Sequence, residues 1–184
     1  MRRLIALEGS ASSSGLVRVD SFLNHQVNPQ VMTAIGAEFA RCFRHHSPTK
    51  VLTAEASGIC PALTTAIALD VPMVYAKKHK PMQIEGPTLR RQVFSPTKGM
   101  VFDIVVSENY LKPGERILII DDFLAGGKTV GALLEISQLA GAKVVGLGFV
   151  VEKTFSGGRA QLGNYPIESL VRIASLEGGI QFAD

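Results

Sequence analysis

Two adjacent acidic residues, Asp121 and Asp122, mark an abrupt chemical change in the sequence. The four aliphatic residues 117–120 precede them, and the small residues 125–127 lead into a helical pattern that opens at Lys128-Thr129. Twin carboxylates at the end of an apolar strand repel each other unless cations or hydroxyl donors face them, so their natural partners are sugar hydroxyls and a metal-bound phosphate. Small residues let backbone N–H groups approach an anion, and a helix start adds positive charge. The pattern favours a loop that binds a phosphorylated ribose.

Two alternatives to a loop that binds a phosphorylated ribose fit part of this sequence. Residues 126–129 match the end of a Walker A loop, which would indicate a nucleoside triphosphatase. That motif needs a glycine where Asp122 stands, and it belongs near a first strand rather than a late one. The other alternative is an ordinary capped turn with solvated carboxylates. Aliphatics, aspartates and a small-residue loop in this order are more specific than a glycine pair, so we favour the binding interpretation.

The elements that must position this loop alternate between strands and helices. Asn28-Pro29 is typical of a helix start, and the apolar spacing predicts that this helix continues to residues 44–46. Alternation of this kind indicates an α/β fold with a mostly parallel sheet covered on both faces, in which ligands bind beyond the carboxyl ends of the strands. The predicted strands are 51–54, 71–76, 101–106, 117–120 and 144–151, and the further predicted helices are 61–69 and 129–139.

Length and composition favour one domain. The chain has 184 residues, 46% of them hydrophobic, which is enough for one substantial core. We expect residues 1–15 to be a flexible, partly Ser-rich N-terminal segment and residues 16–184 to form the domain. Glu8 ends the first apolar run too early for an export signal, so we expect a cytoplasmic protein without a membrane role. Cys42 and Cys60 are expected to be reduced thiols.

Several separate motifs resemble one known family. DDFLA at 121–125 after four aliphatics resembles the signature of type I phosphoribosyltransferases, which bind phosphoribosyl pyrophosphate (PRPP). The segments VDSFLNHQ at 19–26, EASGI at 55–59, AKKHK at 76–80 and VEK at 151–153 resemble the bacterial xanthine branch of that family, and the similarity covers residues 17–182. The resemblance implies a central sheet flanked by helices, a small hood, a flexible lid loop and a homodimer. It also implies transfer of the phosphoribosyl group from PRPP to xanthine, with Mg²⁺ carried by PRPP and no direct protein ligand to the metal.

The resemblance assigns roles to individual residues. Gly126 and Lys128 depart from the Asn and Gln that are expected in this branch. By resemblance, the catalytic residues are Asp121 and Asp122, the PRPP-binding residues are Ala125, Gly126, Gly127, Lys128, Thr129, Ser57, Gly58 and Lys78, and the purine-binding residues are Val17, Asn24 and Lys153.

The chemistry of Lys153 bears on the choice of base. An ammonium group only donates hydrogen bonds, so it suits the 6-oxygen of an oxopurine and not the 6-amino group of adenine. Asn24 both donates and accepts, so it does not separate xanthine from guanine. A surface lysine at a strand end is the structural alternative. Transfer to hypoxanthine or guanine therefore stays open, and the choice of xanthine rests on the resemblance.

A basic segment and its charge bear on the class of partner. Residues 77–98 carry six Lys and Arg residues against one acid, Glu85, and we expect a structureless lid that closes over pyrophosphate. A nucleic-acid-binding loop is the alternative, but Phe94 is its only aromatic residue, so no nucleic-acid partner is expected. A PRPP-sensing regulator without catalysis would need a DNA-binding module, for which residues 1–16 are too few.

Overall fold

The computed structural model describes residues 1–11, 17–79, 86–95 and 99–183. In this part of the chain eight strands form one sheet, and two short strands, β1 (Ser10–Ala11) and β2 (Val17–Arg18), form an antiparallel pair. The strands of the large sheet are β3 (Lys50–Ala54), β4 (Met73–His79), β5 (Thr88–Ser95), β6 (Met100–Ser107), β7 (Arg116–Leu124), β8 (Lys143–Lys153), β9 (Ile167–Ser175) and β10 (Gln181–Phe182).

The centre of the sheet is parallel. The strand order is β10-β9-β8-β7-β3-β4-β6-β5. The five strands from β9 to β4 pair in parallel, whereas β10, β6 and β5 add antiparallel edges. The prediction of a mostly parallel sheet is confirmed. Residues 117–120 of β7 are fully buried, because a central strand between two helical layers is covered on both faces.

Five helices accompany the sheet in the described ranges: α1 (Arg2–Glu8), α2 (Pro29–Phe43), α3 (Ile59–Leu69), α4 (Lys128–Leu139) and α5 (Gly158–Gln161). One apolar cluster joins α2 and α3 to one face of the sheet, and a second joins α4 to the other face. None of these helices is both long enough and apolar enough to cross a membrane.

Helix α2 forms where its sequence predicts. The Asn28 side chain accepts hydrogen bonds from the N–H groups of Gln30 and Val31, both at 3.1 Å, which satisfies two of the donors that a helix start leaves without a partner. Its buried residues include Met32, Ile35, Phe39 and Phe43. A short 3₁₀ turn, Arg44–His46, follows. Both cysteines are half-buried and form no disulfide with each other.

The described part of the N-terminal segment, residues 1–11, has regular structure. Helix α1 and strand β1 form there, and Ile5 is fully buried in the cluster that contains α2, whereas the flexibility expected of residues 1–15 as a whole stays a prediction. Met1 and Leu4 pack against the same cluster. An isolated seven-residue helix is marginal, so this segment is stabilised by tertiary packing that local composition does not reveal. The domain boundary at residue 16 stays a prediction, because residues 12–16 lie outside the described ranges.

The basic segment at residues 77–98 differs from its prediction. It was expected to be structureless, yet residues 77–79 belong to β4, and β5 pairs with β6 over its whole length, from Thr88 opposite Ser107 to Ser95 opposite Met100. Leu89 and Val93 are buried while Arg90 and Gln92 are exposed, which is the alternation of a half-buried strand. The positive charges obscured that pattern. The rest of the predicted lid, residues 80–85 and 96–98, lies outside the described ranges.

Candidate active site

The predicted catalytic pair, Asp121 and Asp122, lies near the carboxyl end of β7 in the middle of the sheet. Both residues are buried, with 7% and 8% of their surface exposed, because β7 pairs with β3 on one side and β8 on the other. The Asp122 N–H donates to Oδ1 of Asp121 at 3.0 Å. We call these two residues the diacid.

The negative charge of the diacid is only partly compensated by its surroundings. Burial raises the pKa of Asp121 well above its ordinary value of 3.8, and the charge of Asp122 raises it further, whereas the positive charge of Lys78 acts in the opposite direction. Loss of solvation and like-charge repulsion together outweigh that single cation. A ligand that brings hydroxyl donors or positive charge to the diacid is therefore favoured electrostatically.

Gly58 approaches the diacid closely. A Cβ atom at Gly58 would lie 2.5 Å from Oδ1 of Asp121 and 2.3 Å from the Thr53 hydroxyl, so any larger residue would displace one of these groups. Ser57 precedes it in the turn after β3, where the Glu55–Ala56 peptide bond is cis. The fold thus brings the predicted pyrophosphate turn directly against the diacid.

Thr53 is a candidate site residue that the sequence did not predict. It is fully buried in β3, and its hydroxyl has no hydrogen-bond partner within the described part of the chain. A buried hydroxyl without a partner is costly, and here it faces the same point as the Asp121 carboxylate. The signal in the sequence was one polar residue in the otherwise apolar strand at 51–54.

Lys78 reaches the site from β4. Its backbone N–H donates to Oε1 of Glu55 at 2.5 Å, which ties β4 to the turn that carries Ser57 and Gly58. Its ammonium lies 5.8 Å from the centroid of the Phe102 ring and partly offsets the charge of the diacid. Asp121, Asp122, Gly58 and Lys78 are therefore brought together as the resemblance implies, although their roles stay predictions.

The phosphate loop, which we define as residues 125–129, runs from the end of β7 into α4. Gly127 precedes the helix with φ of 77°, a left-handed conformation that glycine adopts readily, and no side chain caps the helix start. The first-turn N–H groups of a helix have no intrahelical partner. An uncapped helix start that follows the diacid after a short loop is suited to an anion.

The departures from the family pattern, Gly126 and Lys128, lie on the exposed side of this loop. The Lys128 ammonium lies 5.4 Å from the centroid of the Phe94 ring on β5. Arg91, also on β5, forms an ion pair with Glu135 of α4. These two contacts border a cleft of about 400 Å³ and dock the β5–β6 hairpin onto α4.

The predicted purine-binding residues are only partly brought together. Lys153 lies at the end of β8, and its ammonium is 5.7 Å from the centroid of the Phe123 ring. Burial lowers the pKa of Lys153. Val17 is buried in the apolar cluster against which Phe123 packs. Asn24, by contrast, is exposed at the end of a π-helical turn, Asp20–Asn24, so its predicted contact with the purine stays a prediction.

Phe123, like Thr53, is a candidate site residue that the sequence did not predict. It follows the diacid directly, it is half-buried, and it pairs with Val151 of β8 in the sheet register. An aromatic face beside an ammonium donor offers both a stacking surface and a hydrogen bond to a flat heterocycle.

Over the described ranges no three His, Cys, Asp or Glu side chains converge as metal ligands.

Comparison with known proteins identifies the family. The family described as phosphoribosyl transferase domain matches residues 24–162. A xanthine phosphoribosyltransferase of Pseudomonas entomophila is 46% identical over 98% of this chain and 96% of its own length. A xanthine phosphoribosyltransferase of Moorella thermoacetica is 50% identical over 97% of this chain and 92% of its own length.

Solved structures agree on the fold. The adenine phosphoribosyltransferase of Rhodothermus marinus superposes with a TM-score of 0.77 at 22% identity, covering 93% of this chain and 97% of that one. The APRTase of Giardia lamblia gives a TM-score of 0.79 at 21% identity, covering 95% and 98%. The α/β fold and the resemblance inferred from the sequence motifs are confirmed, and the chain belongs to the phosphoribosyltransferase family.

Proposed function

We propose that this protein transfers the 5-phosphoribosyl group of PRPP to a ring nitrogen of xanthine, releasing pyrophosphate and giving xanthosine 5′-monophosphate in purine salvage. Relatives that are 46% and 50% identical over nearly the whole chain carry the name of that activity. The shared fold does not choose the base, because structures of adenine enzymes superpose on this chain with TM-scores of 0.77 and 0.79.

The observation that carries the choice of base is the half-buried Lys153 beside Phe123. An ammonium at this position donates to a carbonyl oxygen and is badly matched to an amino group, so it selects oxopurines over adenine. The Phe123 ring supplies an apolar face for the heterocycle. Xanthine carries a second oxygen that hypoxanthine lacks, and the preference for it is supported by the relatives alone.

The diacid serves the ribose. Departure of pyrophosphate leaves positive charge on the ribose ring. Two buried carboxylates stabilise this charged ring more than they stabilise the uncharged ring of the bound substrate. Asp121 and Asp122 also accept hydrogen bonds from ribose hydroxyls, which fixes the sugar for displacement. The uncapped start of α4 holds the 5′-phosphate through backbone N–H groups, and Lys128 adds a cation beside it.

The turn at Ser57 and Gly58, together with Lys78, is the proposed site of the pyrophosphate group. Backbone N–H groups and one ammonium offset part of the charge that develops on this leaving group. Mg²⁺ enters with PRPP as part of the substrate and lowers that charge further. The carboxylates of the diacid and the unsatisfied Thr53 hydroxyl are oxygen groups of the kind that suit a hydrated magnesium complex.

A coupled assay with PRPP, Mg²⁺ and each of xanthine, guanine, hypoxanthine and adenine tests the proposal. We expect the highest kcat/KM with xanthine and none measurable with adenine. Lys153→Met should reduce kcat/KM for the oxopurines by about 100-fold, because a buried acceptor on the base loses its donor. Lys153→Arg is the matched control that keeps a cation.

The outcomes separate the rival functions. A preference for hypoxanthine or guanine would make this a salvage enzyme for those bases, and a preference for adenine would refute the role of Lys153. Binding of PRPP without turnover on any base would favour a PRPP-sensing regulator. The homodimer and the cytoplasmic location stay predictions, which size-exclusion chromatography with light scattering and cell fractionation would test.

A further inference from the structure

An ion cluster around the buried Glu152 lies beside the proposed site without belonging to it. Glu152 on β8 is 2% exposed. Its carboxylate accepts hydrogen bonds from Arg159 Nε at 2.9 Å, Arg159 Nη2 at 2.6 Å and Ser169 Oγ at 2.7 Å. Arg172 Nε lies 3.7 Å from the same carboxylate. The two bonds from Arg159 form a bidentate pair, the strongest and most directional kind of ionic hydrogen bond.

Arg159 belongs to α5, and the residue before it touches the phosphate loop. A Cβ atom at Gly158 would lie 2.0 Å from the carbonyl oxygen of Ala125 and 2.9 Å from the backbone nitrogen of Gly127. The chain at Gly158 therefore lies in direct contact with the loop backbone, without room for any side chain between them. Because Arg159 follows Gly158 directly, an interaction that holds Arg159 in place also restrains the contact between Gly158 and the loop backbone.

The ion cluster around Glu152 and the predicted purine-binding residue Lys153 lie on opposite faces of β8. Successive side chains of a strand point in opposite directions. Lys153 accordingly contacts Phe123, whereas its neighbour Glu152 contacts α5 and β9. Loss of the Glu152–Arg159 pair is thus transmitted first to α5 and the phosphate loop, and only indirectly to the base.

We propose that Glu152 and Arg159 are positioning residues for the phosphate loop, because their ion pair holds Gly158 against Ala125 and Gly127 and so sets the loop for the 5′-phosphate of PRPP. The inference rests on the proposed function, in which this loop binds that phosphate. Neither residue touches the reacting atoms. Their effect is expected on the affinity for PRPP rather than on the recognition of xanthine.

Calorimetric titration with Mg²⁺ and PRPP, together with KM values for both substrates, tests the proposal. Arg159→Ala should raise the Kd and KM for PRPP by about tenfold or more, since small displacements of a positioned group have effects of this order. The KM for xanthine should change by less than about twofold on the same reasoning. Added guanidinium ion should restore part of the PRPP affinity of Arg159→Ala by occupying the place of the lost side chain.

Two matched variants sharpen the result. Gly158→Ala should weaken PRPP binding in the same way, but guanidinium should not restore it, because its Cβ displaces the loop directly. Glu115→Gln breaks the Lys50–Glu115 ion pair at the opposite end of the sheet and should leave both substrate constants unchanged. Arg159→Gln, which loses the charge and the fork but keeps a donor, replaces the alanine variant where that variant does not fold.

Different results would contradict the inference and the proposed function. A folded Arg159 variant with an unchanged Kd for PRPP would overturn the inference, and so would parallel rises in the constants for PRPP and xanthine. Absence of PRPP binding by the unmodified protein would instead overturn the proposed function, on which the inference depends.

Discussion

Neighbouring strands β7 and β8 each carry acidic groups near their carboxyl ends, and these groups differ in how the protein compensates them. On β8, burial opposes the charge of Glu152, but hydrogen bonds from Arg159 and Ser169 outweigh it and lower its pKa. On β7, burial and Asp122 raise the pKa of Asp121, and Lys78 offsets this only in part. Strand register places the two regions close together, with Leu124 opposite Glu152.

The difference separates a charge whose partners lie within the fold from a pair of charges that we propose to act on a ligand. Glu152 has its partners within the fold, which favour its ionised form and leave it little to offer a ligand. The diacid has too few partners, so it costs stability in the free protein and gains from a ligand with hydroxyl donors or positive charge. Burial alone does not distinguish the two. The number and sign of the neighbouring groups do.

The largest expected effect comes from removing the charge of the diacid. Replacing both Asp121 and Asp122 by Asn should reduce turnover by about 1,000-fold or more, because both the ribose contacts and the stabilisation of its developing charge are lost. Steady-state assays with PRPP and xanthine would measure this. Circular dichroism should show a folded protein, and near-normal turnover in the double variant would refute the role of the diacid.

The next effect is on stability, where the two regions should respond with opposite signs. Glu152→Gln should lower the free energy of unfolding by about 1.5 kcal/mol, since ionic hydrogen bonds are lost, and should lower Tm by about 4 °C. Asp121→Asn should raise Tm by a few degrees at neutral pH, because a repelled buried charge is removed. Calorimetric melting of both variants tests this, and a shared sign would break the comparison.

The smallest effect is the pH dependence of those differences. The folded pKa of Glu152 lies below its ordinary value of 4.5, so its contribution is present above that pH and is lost as pH falls through the folded pKa. The folded pKa of Asp121 lies above 3.8, so the penalty for its charge disappears as pH falls through that raised pKa. The Tm advantage of wild type over Glu152→Gln should therefore persist down to about pH 4.5 and shrink below it, whereas the Tm advantage of Asp121→Asn should shrink as pH falls from neutral towards 3.8, over a range from about pH 7 to about pH 3. Melting curves across that range would measure it, and a difference that did not change with pH would contradict the assigned charges.

Much of the fold was predictable because it depends on local patterns. The alternation of apolar runs predicted the central strands, and the Asn28 cap predicted α2, since both signals act over a few residues. Helix α1 and strand β5 were not predicted. The first is stabilised by packing of Ile5 in a distant cluster, and the alternation of the second was obscured by its arginines.

The sequence by itself determined the diacid, the small-residue loop after it and the donor character of Lys153, because residue chemistry and spacing along one strand and turn specify them. Only the tertiary structure decided that Thr53 and Gly58 meet Asp121, that Phe123 accompanies Lys153, and that Gly158 seats against Ala125. These contacts join residues that strand order and register bring together across the sheet. No local pattern contains that information, because it arises only when separate elements share one core.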